Sequence, residues 1–229
     1  MAMQMGYAGG RVVAGSARST FIMKTYAHLL GAVMAFIALE VGLFSSGLAV
    51  PIVQAMAGTS WLLVLGGFMI VSWLATHAAH RAESKAMQYL ALGAFVVAEA
   101  VVFLPLLAVA NYVAPGAISS AALVSTVGFA GLTAVVFTTR KDFSFLGSLL
   151  RWGFICALVL VVAGAIFGFE LGTFFSVGMV ALAGGAILYD TSNVLHHYPN
   201  DRYVGAALQL FASVALLFWY VLRLFMSRD

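Results

Sequence analysis

The chain has 229 residues, of which 63% are hydrophobic and only 8% charged, and its formal net charge is +3. A water-soluble domain carries roughly a quarter charged residues, so this set cannot cover a water-facing surface and lipid must solvate most of the exterior. Nucleic-acid binding is excluded as well, because no basic cluster with interleaved aromatics occurs outside the short connections.

The first 20 residues form a polar, Gly-rich tail carrying Arg11 and Arg18, and residues 21–229 read as one transmembrane domain. Apolar segments follow at 21–47, 59–79, 87–111, 118–138, 149–168, 174–194 and 203–226. Each can cross a bilayer, which takes about 20 apolar residues. The first is too long for the apolar core of a signal peptide and reads as a spanning helix. Turns marked by Pro, Gly or Asn separate several of them, at Ala49-Val50-Pro51, Ala114-Pro115-Gly116 and Tyr198-Pro199-Asn200. The expected fold is an all-α integral membrane protein, a seven-helix bundle.

Small residues recur on the helix faces, among them Gly128 and Gly131, Gly164 and Gly168, Gly184 and Gly185, and Gly205, Ala206, Ala212 and Ala215. In lipid, small residues let backbones approach closely, so they predict tight helix packing. Cys156, the single cysteine, lies inside the fifth apolar run and reads as a packing residue.

The 11 Lys and Arg residues fall in the N-terminal region, after the second, fourth and sixth segments, and at the C-terminus. The connections after the first, third and fifth contain none, which places the N-terminus in the cytoplasm by the positive-inside rule. Arg223 and Arg228 oppose that rule if the seventh segment spans fully; a re-entrant or centrally buried last helix would ease the conflict.

An ionisable group at the centre of a spanning helix costs about 2.5–3.5 kcal/mol on insertion scales, so each one there is a candidate for function. Glu40 lies near the end of the first segment and reads as a solvated helix end. Glu99 falls about 18 Å into the third, at 1.5 Å per residue, on one face with Gln88, Leu92 and Phe95. Asp190 sits near the end of the sixth, where the helix dipole calls for a cation; Arg81, Arg140 and Arg202 are the candidates, Arg81 first. Gln209 and Ser213 form a narrow polar stripe on the seventh segment, and Thr126 and Thr133 a similar one on the fourth, read as helix–helix hydrogen bonds. His77, His80, His196 and His197 gather on one side, yet no dense ligand motif such as H-E-x-x-H appears, so no metal site is expected. No nucleophile motif occurs and the last segment has no Lys for a Schiff base, so neither a catalytic residue nor a cofactor is expected.

Lys24-Thr25-Tyr26, the run from Thr138 to Gly147 containing Arg140-Lys141-Asp142-Phe143-Ser144, Leu188-Tyr189-Asp190-Thr191, and Ala207-Leu208-Gln209-Leu210-Phe211 with Leu217-Phe218 resemble the Bax-inhibitor-motif family, also called TMBIM or YccA-like. The resemblance covers about residues 20–226. It implies six helices around a central seventh, in a plasma or inner membrane, with membrane lipid as surroundings. It also implies a pH-sensitive Ca²⁺ leak or modulation of a membrane-bound ATP-dependent protease, with cell-death suppression linked to the eukaryotic members. Its leak gate is a proton-sharing aspartate pair on the sixth and seventh helices. Asp190 matches the first aspartate, but Ser213 stands at the second position, and Leu216 where an Asn is usual. The gate is therefore expected to be altered, with Glu99 standing in for the missing carboxylate.

Overall fold

The computed structural model describes residues 2–81 and 84–227, with side chains from Ser16 onward. Arg228 and the side chain of Arg11 thus lie outside the described residues. Among the described residues eight helices follow one another: α1 (Ala2–Ser45), α2 (Ala49–Ala57), α3 (Trp61–Arg81), α4 (Lys85–Val113), α5 (Ala117–Thr139), α6 (Leu146–Phe167), α7 (Thr173–His196) and α8 (Tyr203–Met226). All but α2 are long and apolar enough to cross a membrane, α1 doing so from Ser16. The helix of α1 runs back through the segment read as a polar tail.

The last helix is central. Two thirds of the apolar window of α8 (67%) is buried inside the protein, against 11–44% for the other six. It packs against α1, α3, α4, α5 and α7, and α6 docks on α7. Side chains of α6 reach α8 through a small cluster that includes Ala157, Met179 and Tyr220. Leu208, Leu210 and Leu222 are fully enclosed, and Phe211 nearly so. Edge-on ring contacts tie α8 to its neighbours: Phe36 to Phe211 at 6.1 Å and Phe103 to Trp219 at 4.9 Å. Such pairs contribute about 0.5–1.5 kcal/mol each beyond their buried area.

Helix α8 crosses the whole bundle. At its start the Lys85 ammonium lies 4.2 Å from the Tyr203 ring centroid; near its end the Arg223 guanidinium donates to the Leu171 carbonyl in the α6–α7 connection. Arg223 therefore lies at the end of the molecule opposite most of the described basic residues. The two ends are called the basic end and the far end below.

Four expectations fail for physical reasons. The connection after the first segment contains a short helix, α2, which folds against α1, α3 and α4. Glu40, read as solvated, is buried at that covered end of α1, and neither carboxylate oxygen has a hydrogen-bond partner. Cys156 is exposed on the outward face of α6, where lipid rather than a helix would meet it. The threonine pair forms no helix–helix hydrogen bond: Thr133 turns toward the Tyr26 phenol on α1, but its hydroxyl has no partner among the described residues, and Thr126 faces outward.

Candidate functional site

The glycine positions decide how closely the walls of the bundle approach. A Cβ added at Gly205 would stand 2.9 Å from the Ala79 carbonyl oxygen, so α8 meets the α3 backbone directly. At Gly147 the same addition would meet the Tyr189 ring at 2.9 Å, which seats that ring against the start of α6. Gly131 has nothing within 4 Å and serves no such purpose.

Between α3, α4, α6, α7 and α8 lies a cavity of about 1170 Å³. It extends from Ser60, Glu170 and Arg223 at the far end to Gly147, Tyr189 and Asp190 toward the basic end. Its wall includes four of the residues singled out in the sequence: Glu99, Asp190, Gln209 and Ser213. The stripe Gln88, Leu92, Phe95 and Glu99 is the buried face of α4, each residue less than a tenth exposed. Glu99 has no hydrogen-bond or ion-pair partner among the described residues, so it does not donate to Gln209.

Asp190 is buried on α7, and the Ser213 hydroxyl donates to its Oδ2 at 2.5 Å. That length suits a hydroxyl bonded to a carboxylate. The Ser213 hydroxyl is therefore the hydrogen-bond partner of Asp190 among the described residues. The expected pairing with a cation is not formed. Arg81 and Arg140 are exposed, and Arg202 pairs with its neighbour Asp201 at 3.5 Å. The reason is helix length. Helix α7 runs on to His196, leaving Asp190 more than a turn inside, where the dipole of the terminus has faded.

The cations at that end bind backbone oxygens instead. Arg18 donates to the carbonyls of Val194 (2.8 Å), Leu195 (3.2 Å) and Tyr198, and to the Asn200 side chain (3.0 Å). It satisfies the last carbonyls of α7, which have no partner within the helix. Lys85 reaches the Asp201 carbonyl, and His80 Nε2 bonds the Tyr198 hydroxyl at 2.9 Å. Burial pushes the Tyr198 phenol pKa up, and the charge of nearby Asp190 adds to the rise. This clamp is not legible around Arg18 in the sequence, because its partners lie about 180 residues away.

A second polar cluster holds the α5–α6 connection. Asp142 accepts from the Ser144 backbone N–H (2.8 Å) and the Ser192 hydroxyl (3.2 Å), and pairs with His197 Nε2 at 3.0 Å. The Phe143 N–H donates in turn to the Ser192 hydroxyl at 2.9 Å. The Ser144 amide above all, with the Ser144 and His197 side chains, holds the Asp142 pKa down at about 2, from an ordinary value of 3.8. A lowered carboxylate pKa means that this tether is fully formed above about pH 4 and is lost as pH falls toward 2. Amide exchange at Phe143 and Ser144 should therefore accelerate only below pH 4. In His197→Ala the acceleration should begin at a higher pH.

Among the described residues, no three His, Cys, Asp or Glu side chains converge where a metal ion could sit.

Residues 18–229 match the family described as Inhibitor of apoptosis-promoting Bax1. Protein LIFEGUARD 4 of Arabidopsis thaliana is 30% identical over 215 residues, 91% of this chain and 85% of its own length. Modulator of FtsH protease YccA of Escherichia coli K12 is 36% identical over 100 residues, 42% of this chain. A Pseudomonas aeruginosa protein of uncharacterised function is 36% identical over 111 residues, 47% of this chain. The match spans about half the length of these two bacterial relatives, 45% and 49% respectively. With seven spans, a central α8 and a family match from residue 18 to the C-terminus, the chain belongs to the Bax-inhibitor family of multipass membrane proteins.

Proposed function

We propose that the protein provides a pH-sensitive cation pathway through the membrane, with Ca²⁺ as the candidate ion. The cavity carries this reading, since it runs along most of the bundle and exposes Glu99 and Asp190 on its wall. An ionised acid there draws a cation inward, and protonation removes that attraction. The gate departs from an aspartate pair, because Ser213 rather than a second acid faces Asp190. No catalytic chemistry is assigned to the site.

Flux of Ca²⁺ from liposomes holding the purified protein tests the reading. Wild type should conduct with a pH dependence, and Glu99→Gln should reduce the rate at least about tenfold, the consequence of losing roughly 1.4 kcal/mol of cation stabilisation. Equal rates in protein-free liposomes, or an unchanged pH profile in Glu99→Gln, would end it.

A second reading, a non-conducting modulator of a membrane-bound protease, is favoured by the name of the E. coli relative. It predicts co-purification with such a protease that survives Glu99→Gln, and no flux. Either reading places the chain in a cell's inner membrane with the N-terminus and the basic end in the cytoplasm. A cysteine introduced at Asp142 should then resist an impermeant thiol reagent applied from outside; labelling would reverse the orientation.

A further inference from the structure

We propose that the cavity is a binding site for an organic cation: an ammonium group with an apolar or aromatic body, its charge against Glu99 and its body among Phe68, Phe95, Phe103 and Trp219. The proposal rests on reading the cavity as a cation site and names the chemical class of its occupant.

Glu99 is 7% exposed, lines the cavity and has no partner among the described residues. Phe95 and Phe103 stand four residues before and after it, so on a helix the two rings flank the carboxylate on one face. Both rings line the cavity, as do Phe68 and Trp219. Phe68 lies 6.1 Å from Phe95, and the Trp219 ring meets Phe103 edge-on at 4.9 Å. The free acid is thus set among aromatic groups held by one another.

That surrounding offers a bare metal ion, which a pathway only passes along, no resting site of its own. Calcium takes about 6–8 oxygen ligands, whereas Glu99 is flanked by rings. One oxygen of Asp190, the other deeply buried acid on the wall, already accepts the Ser213 hydroxyl. Aromatic faces attract weakly hydrated organic cations, and ring cages of this kind recognise alkylated ammonium groups. Charge points the same way. Glu99, Glu170 and Asp190 line the cavity, whereas the lining base, Arg223, is bonded to the Leu171 carbonyl at the far end. The volume of about 1170 Å³ exceeds what a small amine needs. Because α3 and α6 touch only sparsely, an amphiphilic cation can enter sideways from the bilayer.

Calorimetric titration of the purified full chain in detergent tests this, with 2-phenylethylammonium as probe, 2-phenylethanol as its neutral analogue, and Ca²⁺. The ammonium should bind one saturable site, at least about tenfold more tightly than the alcohol. Glu99→Gln should weaken it by about tenfold or more, and Trp219→Leu should weaken it without altering Ca²⁺ flux to the same degree. No saturable binding, equal affinity for the alcohol, or undiminished binding by a folded Glu99→Gln protein would each overturn the proposal. Flux without ammonium binding refutes the cage and leaves the pathway standing. Binding without flux does the reverse.

Discussion

Gly205→Leu is expected to yield no monodisperse folded protein, and Gly205→Ala to lose about 1–3 kcal/mol of stability, the range for forcing atoms into a packed interior. The position sits at the start of the central helix, against the backbone of Ala79, which is fully buried. A new Cβ would stand 2.9 Å from the Ala79 oxygen and 3.3 Å from its carbonyl carbon. A flexible side chain could turn aside, but backbone in the middle of a helix contact cannot. The shift would pass into α8, which touches five other helices. Gly131→Ala is the control: nothing lies within 4 Å of the added atom, and alanine favours a helix by about 1 kcal/mol over glycine. Size-exclusion profiles and thermal melts in one detergent should separate the three variants. A Gly205→Leu protein as stable as wild type would mean that α3 and α8 do not meet as described.

The second large effect concerns Asp190. Ser213→Ala removes the hydrogen-bond partner of a buried carboxyl group, which should cost about 1–3 kcal/mol, the penalty for leaving a buried polar group unsatisfied. Asp190→Asn should be milder, below about 1.5 kcal/mol, because an amide oxygen still accepts the Ser213 hydroxyl. This contrast separates a hydroxyl partner from a cation. Had Arg81 been the partner in a buried pair, Asp190→Asn would strand its charge and cost about 3–5 kcal/mol. The double variant Ser213→Ala/Asp190→Asn should show a coupling of about 0.5–3 kcal/mol in a double-mutant cycle of thermal or denaturant unfolding. Additive losses would show that the two side chains act independently.

What the sequence revealed follows from which forces are local. Hydrophobic runs of spanning length and alternating charge marked seven helices, because bilayer thickness and loop charge act segment by segment. The Gln88–Glu99 stripe was legible as a single face because helix periodicity fixes it, and the structure buries that face. The resemblance placed Ser213 opposite Asp190, and the 2.5 Å hydrogen bond is found there. Misreadings arose where a residue's surroundings come from distant chain. Glu40 looked solvated because nothing near it in sequence shows that α2 folds over that end. Arg81 looked like the natural partner of Asp190, since a two-residue error in the end of α7 changes the field the acid feels. The Arg18 clamp and the Asp142–His197 pair depend on contacts between residues far apart along the chain, and no local pattern announces them.

The most direct test is whether small cations reach the middle of the bundle from water. With Cys156 replaced by serine, single cysteines at Gln209, Ala212 and Leu216, all on the cavity wall, should react with a small cationic methanethiosulfonate. Reaction with an anionic reagent of the same size should be slower by about tenfold or more, as expected for a cavity carrying unpartnered acid. A cysteine at Val177, which is exposed on the outer surface of α7, should react slowly with both. Inert cysteines at all three cavity positions, or equal rates with the two reagents, would contradict a cation-attracting cavity and with it the proposed pathway.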